Sequence, residues 1–118
     1  MTASESIRWG RIIVAAVLVE AGMFAIVIPL NGINEQVTYY SVPFLVFATA
    51  YLAARWVGRP LAGRFVLHGV LTAIGASLIY VAITIALGVF NSVPLLYHFS
   101  HALRIAGGAA GGARSARR

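Results

Sequence analysis

Apolar runs long enough to cross a bilayer follow one another along this chain, with only a few polar residues between them. A helix needs about 20 predominantly apolar residues to span the hydrocarbon core. Ile12 to Leu30 gives the first run, in which Glu20 is the single charge. Val37 to Val57 and Phe65 to Val89 give two more, and a fourth begins near Val93 and continues toward Ala113. These runs predict an all-α fold: a polytopic membrane protein with four transmembrane helices over about 9–30, 37–57, 65–89 and 93–113, then a short basic tail at 114–118. Short connections make successive helices antiparallel neighbours, so an up-down-up-down bundle is expected. Four crossings use nearly all of the 118 residues, which leaves a single membrane domain over 1–118.

Composition agrees with lipid as the solvent. The chain is 60% hydrophobic and 10% charged, against about 45–50% and about 25% in soluble domains. So few charges do not make a water-facing exterior. The net charge of +6 and pI near 10.9 resemble the balance of a nucleic-acid binder. Here every cation is an arginine, and most gather at the ends of the apolar runs instead of on one face. Nucleic acid is therefore not an expected partner. The absence of cysteine excludes disulfides, thiolate catalysis and cysteine-ligated zinc or iron–sulfur clusters.

The arginines also orient the chain. Arg8 and Arg11 precede the first run, Arg55 closes the second and Arg59 and Arg64 lie between it and the third, and Arg114, Arg117 and Arg118 follow the fourth. The stretches 31–36 and 90–92 hold no arginine. By the positive-inside rule both termini and the middle loop lie in the cytoplasm. Trp9 and Trp56 then sit at the inner boundary and Tyr39 and Tyr40 at the outer one, as aromatic belts do.

Boundaries follow from turn residues. A basic start followed by an apolar stretch also fits a signal peptide, but the first run outlasts an h-region of about 7–15 residues and Glu20 interrupts it. Asn31-Gly32 marks a turn. Pro43 leaves two options: a helix that starts near Val42 with proline in its first turn, or one that starts earlier and kinks because Pro43 has no N–H for the Tyr39 carbonyl. Gly58-Arg59-Pro60 and Gly63-Arg64 break the pattern, Asn91-Ser92 offers a cap, and Pro94 suits a first helical turn. The fourth segment carries His98, Ser100, His101 and Arg104 and ends in Gly107-Gly108-Ala109-Ala110-Gly111-Gly112, which weakens a helix in water. An alternative lays this segment in the interface or makes it re-entrant, leaving three crossings.

Helices in lipid associate through small residues that let backbones approach. Gly69, Ala73 and Ser77 recur at helical spacing in the third run; Gly107 with Gly111, and Gly108 with Gly112, do so in the fourth. These rows serve either packing within one chain or a homo-oligomer interface.

Two charges lie deep in the apolar runs. Glu20 stands about 15 Å above the inner boundary of the first helix, and Arg104 reaches a similar depth from the opposite end of the fourth. A charge at the bilayer centre costs at least about 2.5–3.5 kcal/mol, so the two are expected to face inward and meet. His101 lies one turn before Arg104 on the same face, and Tyr97 one turn earlier. The pair is either a static clip between helices one and four or a site for a proton, cation or substrate. A fourth helix shifted outward would instead let Arg104 snorkel to the cytoplasmic face.

No cofactor is predicted. His68, His98 and His101 admit haem or quinone as alternatives, but His68 and His101 differ in depth by about 13 Å, and His98 with His101 lacks an evident third metal ligand. The glycine-rich tail has no Gly-Lys-Ser/Thr ending for a phosphate. The chain has no aspartate, and Glu5 and Glu35 fall in a terminus and a loop, facing water. No catalytic residues are assigned, and an enzyme is not expected.

The segments Arg8-Trp9-Gly10-Arg11-Ile12-Ile13, Arg64-Phe65-Val66-Leu67-His68-Gly69, and His101-Ala102-Leu103-Arg104 running into the glycine pairs resemble a family of small, uncharacterised bacterial four-helix membrane proteins. That resemblance implies a bacterial cytoplasmic (inner) membrane location and brings no activity with it. A lone glutamate in the first of four helices is also similar to the small multidrug-resistance exporters. The arginine-rich middle loop and the His/Arg-bearing last helix depart from their pattern. The lack of a complete site points first to an accessory or assembly subunit of a larger membrane complex, with other membrane subunits or itself as partners. The alternative is a small transporter or channel, homo-oligomeric in one version, working through Glu20 and Arg104.

Overall fold

A computed structural model describes residues 7–116; Glu5, Arg117 and Arg118 lie outside the described residues. The first break in the chain falls not at Asn31-Gly32 but at Asn34. Its extended backbone (φ −157°, ψ 110°) ends α1 (Trp9–Ile33) and starts α2 (Glu35–Gly58) within one residue. Asn34 Oδ1 accepts from the backbone N–H groups of Gln36 and Val37, at 3.0 and 3.1 Å, while its own N–H donates to the Leu30 carbonyl. Such a cap, with Glu35 in the first turn of the new helix, outweighs the modest helix penalties of Asn31 and Gly32. Of the two options at Pro43 the structure takes the earlier start. Pro43 lies well inside α2 and withholds a donor from the Tyr39 carbonyl.

α3 (Phe65–Ala86) begins after Arg64, a non-glycine residue at φ 58°, and stops three residues before Val89. The stop is local chemistry. Gly88 adopts φ +72°, and the N–H groups of Leu87, Gly88 and Val89 fold back onto the carbonyls of Ile83, Ile85 and Thr84. A short 3-10 turn at Phe90–Ser92 leads to α4 (Leu95–Ser115), with Pro94 at its N-cap instead of in its first turn. The glycine-rich segment stays helical to Ser115 because its glycines are pressed against α2 and α3, where packing overrides propensity.

The fold is all-α, with four helices among the described residues. α1, α2 and α3 are each long and apolar enough to cross a membrane, which marks the chain as a membrane protein. Large apolar side chains cover the outside, among them Phe44, Leu52, Leu78 and Phe99. The inside is small: Val19, Met23, Val42, Val46 and Ala76 form one cluster, and Ile12, Ala15 and Val57 another.

Close approaches give the local directions. Gly107 abuts Phe47 and Gly111 abuts Tyr51, so α2 and α4 run the same way there. Gly69 abuts Gly108 and Phe65 abuts Gly112, so α3 and α4 run oppositely. At one end of the bundle the Arg8 N–H donates to His68 Nε2 (3.0 Å), Arg11 donates to the Trp56 carbonyl, and the Ser115 hydroxyl lies 3.5 Å from the Arg55 carbonyl. The start of α1, the end of α2, the start of α3 and the end of α4 are thereby gathered together.

Candidate functional site

α1 and α4 occupy opposite corners of the bundle: nowhere do their Cα atoms come within 8 Å of each other, while α2 and α3 meet between them. What joins them is a pair of side chains. Ile12, Ala15, Ala16, Val19, Glu20 and Met23 recur at helical spacing and form the buried face of α1, so Glu20 is carried inward. On α4 the buried row includes Ser100, Arg104, Gly107, Gly108 and Gly111, which turns Arg104 inward too. Both residues stand near the middle of their helices, both are 2% exposed, and Arg104 Nη1 lies 2.5 Å from Glu20 Oε1. The ion pair thus spans the diagonal of the bundle at mid-height.

Beside the pair opens a pocket of about 340 Å³. Glu20, Arg104, His101 and Tyr80 form its floor, and Met23, Val27, Val42, Val46 and Ile83 are among its apolar walls. Exposed Ile28, Leu87 and Val89 also line it and mark its open end. His101 Nδ1 lies 2.8 Å from Ser77 Oγ, and the ring meets Tyr80 edge-on at 5.2 Å between centroids. Among the described residues, His101 Nε2 and Arg104 Nε are buried without a hydrogen-bond partner. Tyr97 lines the pocket and packs against Tyr39 at 5.9 Å.

The three histidines occupy three settings. His68, fully buried at the start of α3, accepts from the Arg8 N–H and presents Nδ1 to the Arg64 carbonyl at 2.8 Å. His98 packs edge-on against Phe90, and His101 belongs to the pocket. No group of three His, Cys, Asp or Glu is placed to hold a metal among the described residues.

The small-residue rows meet inside one chain. Cβ atoms added at Gly69 or Gly108 would strike the carbonyl of the other, and Ala73 also packs against Gly108. Gly107 and Gly111 lie against the Phe47 and Tyr51 carbonyls of α2, and Gly112 against that of Phe65 on α3. Ser77, the last member of the α3 row, serves as the partner of His101 instead of a close-approach point. Sequence reasoning missed Tyr80 and Thr84, which share the Ser77 face at helical spacing and line the pocket; that periodicity is the signal that would have found them. It also missed the Arg11 guanidinium, stacked 3.8 Å above the Trp56 ring.

Compared with known proteins, the chain matches no family model, no curated protein and no solved structure.

Proposed function

We propose that the chain is a four-crossing membrane protein that admits a small molecule to the pocket beside Glu20 and Arg104, a role of the small-transporter class. One observation carries this reading: the buried ion pair borders an apolar pocket of about 340 Å³ that Glu20 and Arg104 both help to line. A pair that only clipped two helices would gain nothing from an adjoining void, whose lining forfeits dispersion contacts. Small-molecule sites commonly measure about 300–1,000 Å³, with apolar walls and a few polar groups that fix orientation.

The fourth crossing belongs to this proposal and rests on the way α4 is turned. Ser100, Arg104, the four glycines and Ser115 are buried, while Leu95, Phe99, Leu103 and Ile105 face outward. That inside-out pattern suits lipid. With four crossings the bundle runs up-down-up-down, and the end that gathers Arg8, Arg11, Arg55, Arg59, Arg64 and Arg114 lies in the cytoplasm of a bacterial inner membrane, together with both termini.

The test is purification of the intact chain from its own membrane in mild detergent, followed by mass spectrometry of whatever travels with it. A small molecule should co-purify with the parent and be lost from Ile28→Trp, which fills the pocket's open end at an exposed position. A stoichiometric protein companion with no retained small molecule would instead make the chain an accessory or assembly subunit.

A further inference from the structure

We infer that the pocket selects a neutral, lipophilic molecule whose polar head accepts hydrogen bonds through carbonyl oxygens; this rests on the reading of the pocket as a ligand site. Charge gives the first argument. Glu20 and Arg104 already balance each other at 2.5 Å. A charged head entering beside them would meet one opposite and one like charge, with little net attraction to offset its desolvation.

Hydrogen-bond inventory gives the second. A guanidinium carries five donors and no acceptor, and Arg104 Nε is buried without a partner. At His101, the Ser77 hydroxyl approaches Nδ1, and among the described residues that hydroxyl has no other acceptor. Donation from Ser77 to Nδ1 leaves the ring proton on Nε2, which is likewise buried and unpartnered. Two of the residues that line the pocket thus carry buried N–H donors without partners, which a carbonyl acceptor seated against them would satisfy.

The walls supply the third argument. Ile28 is 66% exposed and Leu87 69% exposed, so the open end of the pocket is apolar. Ile28 lies eight residues beyond Glu20 on α1, about 12 Å along the helix. A ligand with its head on the floor runs its apolar tail out past this end, and it arrives from the lipid instead of from water. Tailed quinones and glyceride esters share this chemistry.

The test is calorimetric titration of the purified chain with four probes: a prenyl-tailed 1,4-naphthoquinone, dioctanoylglycerol, decanoate and decyltrimethylammonium. The neutral carbonyl probes should bind at least tenfold more tightly than the two ions, and the stronger of the two names the source. His101→Phe should weaken them about 3- to 10-fold, as loss of one donor predicts. Ser77→Ala keeps the ring but frees its tautomer, and should cost less. Tighter binding of decanoate or decyltrimethylammonium, or indifference to His101→Phe, overturns the head chemistry while leaving the pocket as a ligand site. Failure of all four probes, or binding that Ile28→Trp does not disturb, overturns both.

Discussion

Removing Glu20 should cost this fold far more than one polar contact in a membrane usually does. Arg104 is 2% exposed, has Glu20 as its sole ion-pair partner among the described residues, and sits at the middle of its helix. Glu20→Ala therefore strands a guanidinium where water does not compensate it. Breaking a buried ion pair by deleting one partner costs about 3–5 kcal/mol, whereas interhelical polar contacts in membrane proteins average about 0.6 and reach about 1.7. The expected loss for Glu20→Ala or Arg104→Ala is about 3 kcal/mol or more. Glu20→Met with Arg104→Met removes both charges and should lie near the parent, since apolar replacement of a buried pair is often neutral. The charge swap, Glu20→Arg with Arg104→Glu, should recover much of the loss seen in either single reversal. Reversible unfolding in mixed micelles, arranged as a double-mutant cycle, reads the coupling directly. Single losses below about 1 kcal/mol, or strictly additive mutations, would refute the reasoning: the two groups would then be solvated separately.

Three further outcomes are expected. Gly108→Leu and Gly111→Leu should lower the melting temperature in detergent sharply, because the new side chains meet the Gly69 and Tyr51 carbonyls, whereas exposed Ala113→Leu should be mild; equal tolerance would show that α4 is not seated as described. Reporter fusions after Asn34 and Asn91 should read outside and those after Pro60 and at the C-terminus inside, and an outside C-terminus would remove the fourth crossing. Arg64→Gly should stabilise the chain by up to about 1 kcal/mol in thermal unfolding, since φ 58° disfavours a residue with a Cβ; a loss would mean that the Arg64 side chain contributes more than its backbone strain costs.

Some of this architecture is legible in the residues and some is not. Helix-length apolar runs are a one-dimensional property, so α1 to α3 can be read directly from hydropathy. The break at Asn34 cannot, because Asn31-Gly32 and Asn34 compete and the winner depends on which side chain reaches a free N–H in the next turn. The meeting of Glu20 and Arg104 is readable because the cost of a lone charge in lipid is large and their depths match. The pocket beside them is invisible in sequence. It exists because α1 and α4 stand apart across the diagonal while α2 and α3 fill the middle, and helix spacing is set by glycine contacts far from the pocket itself. Ser77 illustrates the limit: its spacing fits a packing row, but the structure turns it to His101.

The reversed face of α4 bears on how the protein is made. α1 to α3 are apolar enough to partition into a bilayer as each emerges from the ribosome, but α4, with His98, His101 and Arg104, is not apolar enough to do so by composition alone. On the four-crossing reading proposed above, its entry would draw on what is already there: the glycine-accepting surfaces of α2 and α3, and the carboxylate of Glu20 on the far side. Under that reading, insertion of the last segment is a folding step instead of a prelude to folding. A nascent chain stalled before α4 would hold an unbalanced glutamate in the membrane, a mark by which quality control can tell an unfinished copy from a finished one.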